Sequence, residues 1–358
     1  MGLKVALACG GTGGHVFPAL AVGKVLRDDH GAETFVVGRS SSMEERLAAQ
    51  SGVRFRQVPA VPLHRARWWK NLLLPWYAWK TVALAASVLR EEKPDAVFAT
   101  GGYVCLPTGV AARLAGIPVF VHESNSHPGI ANRLLGRLAK GLFAGSPAGA
   151  AALGGKAVVT GNPVRELDGR TREALRSARG LSESDRFLVV IGGSQGARGV
   201  NRILSAEVGR LLAEGWRVLW QTGPVELEAI RSKVPSHPHL QIEAFVTDMY
   251  GVFGAADLAL TRAGASTLAE LALHGLPSLL VPFPAATGNH QEINAREFER
   301  AGAAMVVLEK DWTEGAAMAA LDALWARRTE AARAMASFAR PDCAARLAQA
   351  VVAGRRGA

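Results

Sequence analysis

The sequence predicts two α/β domains, each a parallel sheet flanked by helices, turned toward each other across a central cleft. Three observations carry this expectation. The chain has 358 residues, which suits two domains better than one. Apolar runs of strand length alternate with helix-like stretches along its whole length. Two glycine-rich loops of the same design lie about half a chain apart, Gly10–His15 (GGTGGH) after the run Val5–Cys9 and Gly192–Ala197 (GGSQGA) after Phe187–Ile191. Each loop leads into a helix-like stretch, Pro18–Leu26 and Val200–Leu212. Strand, glycine loop and helix together aim a helix N-terminus and bare backbone N–H groups at an anion.

The elements follow in order. In the first half, strands are expected at Val5–Cys9, Thr34–Val37, Arg54–Val58, Ala96–Thr100 and Pro118–Glu123. Helices are expected at Pro18–Leu26 and Ser42–Ser51, in a stretch that ends at Lys93 because Pro94 cannot continue it, and from about Ile130. The turn GNPVR (Gly161–Arg165) marks a domain junction. An N-terminal domain of 1–163, with the tail 341–358 added, and a C-terminal domain of 164–340 follow from it. In the second half, strands are expected at Phe187–Ile191, Arg217–Thr222, Leu240–Phe245, Leu258–Thr261, Leu279–Pro282 and within Ala301–Leu308. A helix runs from the loop RAGAST to about His274, and the Ala-rich tail Pro341–Val352 is helical.

Composition narrows the class. With 49% hydrophobic and 20% charged residues the chain can bury cores and is not disordered. The net charge of +10 is placed unevenly. Residues 1–165 hold 19 Lys/Arg against 9 Asp/Glu, and residues 166–358 hold 22 of each. The first half therefore suits an anionic partner: a membrane surface, nucleic acid or a phosphorylated substrate. Cys9, Cys105 and Cys343 form neither a disulfide framework nor a metal spacing, which fits a reducing compartment. The run Val5–Cys9 is too short for a signal-peptide core, and Leu72–Leu89, broken by Pro75 and Lys80, reads poorly as a membrane span.

The first loop lacks the Lys-Ser/Thr of a P-loop and departs from G-x-G-x-x-G, and no acidic residue ends the second strand. A dinucleotide dehydrogenase is disfavoured. A bare strand-to-helix turn would explain the glycines, but not His15 beside them. At a helix start the positive helix end favours neutral imidazole, the form a general base needs. Ser194 and Gln195 offer polar contacts beside the second loop, or Ser194 is a helix cap. In RAGASTLAE (Arg262–Glu270), Thr267 and Glu270 stand at capping-box spacing; alternatively the helix start takes phosphate and Glu270 accepts from vicinal ribose hydroxyls. GNHQEIN (Gly288–Asn294) is a helix N-cap at Asn289 or a sugar-recognition segment. In HESN, Glu123 is a second-choice base, and Arg165 of GNPVR could hold a diphosphate. With no paired acidic or His/Cys ligand spacing, neither a metal nor any other cofactor is expected. The stretch Leu63–Lys80 packs Trp68, Trp69, Trp76 and Trp79 among Arg65, Arg67, Lys70 and Lys80. That pattern suits an anionic membrane interface, or an ordinary core helix with a basic end. No nucleic-acid module is present and none is expected as partner.

The ordered set GGTGGHVFPALAV, GGYVCLP, HESN, GNPVR, GGSQGA, FVTDM, RAGASTLAE and GNHQEINA resembles the MurG family, the glycosyltransferases that make lipid II for peptidoglycan. The resemblance implies a GT-B fold of two Rossmann-like domains, with the last helix packed on the first. It implies inverting transfer of N-acetylglucosamine from UDP-N-acetylglucosamine to the C4 hydroxyl of lipid I, without a covalent sugar–enzyme intermediate. By motif matching, Val246 would meet uracil and Glu270 the ribose. Ser194, Arg165, Ala265, Ser266 and Thr267 would lie along the diphosphate, and Gln291 and Asn125 would reach the sugar. Thr12, Gly13 and Gly14 would line the site near donor sugar and acceptor, with Tyr103 on the acceptor side. A peripheral place on the cytoplasmic face of the membrane and cell-wall synthesis enzymes as partners complete what it implies. HESN departs by carrying Ser124 where Gln is common. A UDP-sugar 2-epimerase of the same fold is the enzyme alternative, against which the Trp-rich basic stretch argues. A basic lipid- or nucleic-acid-binding scaffold is the non-enzyme one, and it leaves the second half's loops unexplained.

Overall fold

The computed structural model describes residues 2–59, 74–164, 168–193 and 195–357, with the backbone alone for 74–78 and 287. It divides into two compact units: Met1–Arg165 together with Arg340–Ala358, and Glu166–Ala339.

The first unit is built on seven parallel strands: β1 (Lys4–Cys9), β2 (Glu33–Gly38), β3 (Arg54–Gln57), β4 (Ala96–Gly101), β5 (Val119–Glu123), β6 (Gly141–Ala144) and β7 (Val158–Val159). Their order is β3-β2-β1-β4-β5-β6-β7. β1, β4 and β5 are wholly buried or nearly so, as expected for parallel strands covered on both faces. One face is covered by the helix Gly13–Asp28 and the tail helix Cys343–Ala353, which shares its core through Leu347, Ala348 and Val351. The other is covered by Leu74–Glu92 and Cys105–Leu114. The edge strand β3 is fastened to the helix end through Glu92, a buried carboxylate that takes Arg54, Arg56 and Lys4.

The second unit has six parallel strands: β8 (Arg186–Ile191), β9 (Trp216–Gln221), β10 (Leu240–Glu243), β11 (Leu258–Thr261), β12 (Ser278–Leu280) and β13 (Ala304–Val306). Their order is β10-β9-β8-β11-β12-β13. The two faces bury separate apolar clusters, one around Phe253, Leu271 and Phe298, the other around Trp216, Trp220 and Leu324.

Both sheets therefore reverse winding direction beside their first strand, between β1 and β4 and between β8 and β11. In open α/β sheets ligands bind outside the carboxyl ends of strands at such switch points. Both glycine loops sit there. Among the described residues no helix is long and apolar enough to cross a membrane.

Several boundaries differ from the expectation. The first helix starts at Gly13, five positions before Pro18, so His15 lies inside its first turn. Pro18, which forfeits one ladder bond, is buried within it. The helix after β8 starts at Arg198 with Ala197 as N-cap. The helix after β11 starts at Ala265 with Gly264 as N-cap. Thr267 is thus its third residue, and the capping box with Glu270 does not form.

Candidate active site

In the first unit, β1 ends in Gly10 and Gly11, and Thr12 is the extended N-cap of the helix that carries Gly13, Gly14 and His15. Thr12 and Gly14 are exposed, Gly13 and His15 half-buried. The turn after β4, Gly101–Gly102–Tyr103, interlocks with this loop. Gly10 N–H donates to Gly101 O at 3.3 Å. Gly102 has φ +96, and a Cβ there would lie 2.1 Å from Gly10 O. Gly101 has φ +118, and its Cβ would fall 2.8 Å from both Cε1 and Nδ1 of His15. Only glycine satisfies both the backbone angle and the space. Thr100 fixes the same helix start by donating from Oγ1 to His15 O at 2.7 Å.

Two buried carboxylates organise this end of the sheet. Glu44, 1% exposed, accepts from Gly11 N (3.4 Å), Arg39 N (3.2 Å) and the Tyr103 hydroxyl (2.9 Å). Burial, and then the bond to Glu44, push the Tyr103 phenol up to about 12. Tyr103 therefore holds the two glycine turns together, beneath the guanidinium of Arg39 at 5.6 Å. Glu123, also 1% exposed, receives four N–H groups. Asn125 N and Nδ2 reach Oε1 at 2.9 and 3.1 Å, and Gly129 N and Asn132 Nδ2 reach Oε2 at 3.1 and 2.9 Å. A carboxylate with both oxygens so engaged anchors a turn. Both oxygens of this second-choice base of the sequence are thus occupied by the turn they organise. Asn125 commits its Nδ2 to Glu123. Asn132 stands between Glu123 and the His15 ring, its Nδ2 3.3 Å from the same Gly101 Cβ position.

The rest of HESN is tied to the segment after β7. His122 Nε2 donates to Gly161 O at 2.9 Å, and Asn162 Nδ2 donates to Ser124 O at 3.2 Å. Cys343 Sγ also donates to Gly161 O, at 3.2 Å. Burial holds the His122 imidazole below its usual range.

In the second unit, the loops after β8, β9 and β11 converge. A Cβ on Gly196 would lie 2.1 Å from Thr222 O, so the loops after β8 and β9 touch backbone to backbone. The helix Ala265–Leu273 opens with Ala265 buried and Ser266 and Thr267 half-buried. Ser266 Oγ is buried without a protein hydrogen-bond partner among the described residues. A hydroxyl so placed beside first-turn N–H groups suits a phosphate oxygen. Glu270, one turn on, is half-buried. The loop before it is held by Arg262, whose Nη1 donates to Val281 O (3.0 Å) and Pro282 O (3.2 Å) and pairs with Glu309 at 2.6 Å. Val246 is buried after Phe245, which is half-exposed. Gln291 is oriented by Phe283 N–H, which donates to its Oε1 at 3.0 Å. Asn289 is the N-cap of its helix, in the left-handed region with φ 55 and no side-chain cap bond.

The structure thus gathers Thr12, Gly13, Gly14, His15, Tyr103, Glu123 and Asn125 at one end of the first sheet. It sets Val246, Ala265, Ser266, Thr267, Glu270 and Gln291 on loops and helix starts of the second unit. Arg165, Ser194, Arg67, Trp68, Trp69 and Lys70 lie outside the described residues, as does the side chain of Trp76. Trp79 is 68% exposed. Among the described residues no cluster of three His, Cys, Asp or Glu side chains is formed that could hold a metal. Sequence reasoning missed Glu44, Asn132, Gln221 and the Arg262–Glu309 pair; Gln221 and Arg262 sit in recognisable glycine-turn segments, while nothing in the spacing marks Glu44 or Glu309.

Residues 5–144 match the glycosyltransferase family 28 N-terminal domain, and residues 187–347 the glycosyltransferase family 28 C-terminal domain. The UDP-N-acetylglucosamine–N-acetylmuramyl-(pentapeptide) pyrophosphoryl-undecaprenol N-acetylglucosamine transferase of Moorella thermoacetica is 38% identical over 325 residues, covering 87% of this chain and 88% of the relative. Among solved structures, MurG of Acinetobacter baumannii superposes with a TM-score of 0.77 at 28% identity, covering 99% of this chain and 100% of that one. The UDP-GlcNAc 2-epimerase of Neisseria meningitidis, at 12% identity and TM-score 0.69, covers 99% of this chain and 100% of its own; it shares the fold alone.

Proposed function

The chain belongs to glycosyltransferase family 28, and from that premise we propose that it moves N-acetylglucosamine from UDP-N-acetylglucosamine to the C4 hydroxyl of lipid I, giving lipid II. The observation that carries this reading is the pairing of two unlike switch-point sites in one chain. One presents His15 in a helix first turn, and the other presents at a helix start, one turn before Glu270, the Ser266 hydroxyl, buried and without a partner among the described residues.

The donor would lie on the second unit, with uracil at the Val246 backbone, ribose hydroxyls on Glu270, and diphosphate along Ser194, Arg165 and the Ala265–Thr267 turn. Gln291, its carbonyl oxygen already satisfied by Phe283, turns its amide N–H toward the sugar. The reaction is one in-line displacement. The acceptor oxygen attacks the anomeric carbon, His15 takes its proton, and the bond to UDP breaks with inversion. Arg165 and the helix start at Ala265 stabilise the departing diphosphate. In the first unit, Gly13 and Gly14 let the acceptor approach the backbone, Glu123 shapes the turn that carries Asn125, and Tyr103 fixes the neighbouring loop. The basic, Trp-rich stretch that includes Arg67, Trp68, Trp69, Lys70, Trp76 and Trp79 docks on the anionic cytoplasmic leaflet where the acceptor is held.

The test is donor consumption with and without lipid acceptor. UDP should be released only when acceptor is present. Formation of the 2-epimer from donor alone, or acceptor-independent UDP release at the same rate, overturns the reading in favour of an epimerase or a hydrolase.

A further inference from the structure

Gln221 ends β9, the strand between β8 and β10. Its side chain is 2% exposed and makes three hydrogen bonds to loops from both neighbours. Oε1 accepts from Gly192 N at 3.2 Å, while Nε2 donates to Gly193 O at 2.8 Å and to Ala244 O at 3.2 Å. The partners dictate the residue type. The site needs one acceptor facing an N–H and two donors facing carbonyls, on a side chain of this length. Glutamate supplies no donor and leucine supplies neither. The adjoining turn is fixed as well: Asn201 Nδ2 donates to Thr222 O at 2.9 Å, and Gly223 lies against Gln195 O.

The two bridged loops have different work in the donor assignment. Gly192 and Gly193 precede Ser194, placed on the diphosphate, and Ala244 stands two residues before Val246, placed on uracil. We propose that Gln221 is a positioning residue that sets the spacing between the base-binding loop and the diphosphate-binding loop, and so tunes the site to a uridine diphosphate as a unit. It touches no substrate and acts through the two backbones it joins. This inference rests on the donor assignment above.

Titration calorimetry with UDP and with uridine, on the unaltered chain and on Gln221→Glu and Gln221→Leu, separates spacing from simple loosening. A spacer predicts that both variants lose about tenfold in UDP affinity, the cost of one lost preorganising contact, while uridine, which bridges nothing, changes by less than about threefold. Equal losses for the two ligands, or no loss for UDP, overturn the inference. Failure of the unaltered chain to bind UDP overturns the donor assignment and the inference with it. Amide exchange needs no variant: the Gly192 amide should be protected in the unliganded chain because it is bonded to Gln221, and free exchange there refutes the spacer even if neither variant folds.

Discussion

Glu123→Gln separates a turn-organising carboxylate from a catalytic base. The substitution keeps shape and removes one acceptor oxygen. Whichever way the new amide turns, its NH2 faces two N–H donors, either those of Asn125 or those of Gly129 and Asn132. Each buried donor left without its acceptor costs about 1–3 kcal/mol, so a loss of about 1–3 kcal/mol is expected where one of the two can still turn toward water. For a unit of this size about 2–4 °C of thermal midpoint goes with each kcal/mol, which puts the drop at roughly 2–12 °C. Differential scanning calorimetry reads the midpoint, and transfer to a soluble acceptor analogue, measured well below it, reads the chemistry. A midpoint unmoved by more than about 2 °C, with turnover abolished, would refute the organiser role and restore Glu123 as a base.

Three further outcomes follow. Gly101→Ala places a Cβ 2.8 Å from two atoms of the His15 ring at φ +118, so transfer should fall by about a hundredfold while UDP affinity holds; transfer within about twofold of the unaltered rate would sink the claim that this glycine seats His15. His122 is held neutral by burial, so its folded-state value lies below the ordinary one of about 6.5. The unfolded chain then binds more protons, and the stability this group contributes is complete above about pH 6.5 and declines as pH falls through it. His122→Gln should flatten that part of a midpoint-against-pH curve, and an identical slope in both proteins would exclude the group. Replacing Trp68, Trp69 and Lys70 together by Ala should weaken binding to anionic vesicles; undiminished sedimentation with them would remove this stretch from membrane docking.

Eleven of the thirteen described strands, their order and the glycine loops are legible because apolar runs and glycine turns are local signals. What the sequence hid was long-range. Glu44 meets Gly11 and Tyr103 from 33 and 59 residues away, and Gln221 meets Gly192 from 29, so no periodicity marks either. The first helix starts earlier than its propensity suggests: Gly13, Gly14 and Pro18 are poor helix formers, and packing of Val16, Ala19 and Leu20 against β1 overrides that. Thr267 had the spacing of a capping box, but Gly264, which has no side chain to cap with, already ends the loop. The strands Gly141–Ala144 and Val158–Val159 and the helices Cys105–Leu114 and Pro147–Ala152 carry no clear signal in the sequence, being short or rich in small residues.

The same device, two glycine turns pressed backbone to backbone, is locked differently in the two units. The first uses a carboxylate, Glu44, and the second uses an amide, Gln221. The difference bears on the charge of each unit. Of the nine acidic residues among 1–165, Glu44, Glu92 and Glu123 are buried, taken up by glycine turns, by a strand edge and by the turn after β5. Among the described residues of this unit, part of the acid that offsets the basic excess therefore points inward. The second unit spends a neutral amide on the same task. An acceptor held on an anionic surface would be drawn to the first unit by charge, whereas a nucleotide sugar in the second would rely on helix starts and placed hydrogen bonds. Raising the salt concentration should then weaken vesicle binding steeply and UDP binding little. Equal salt dependence of the two would contradict this division of labour.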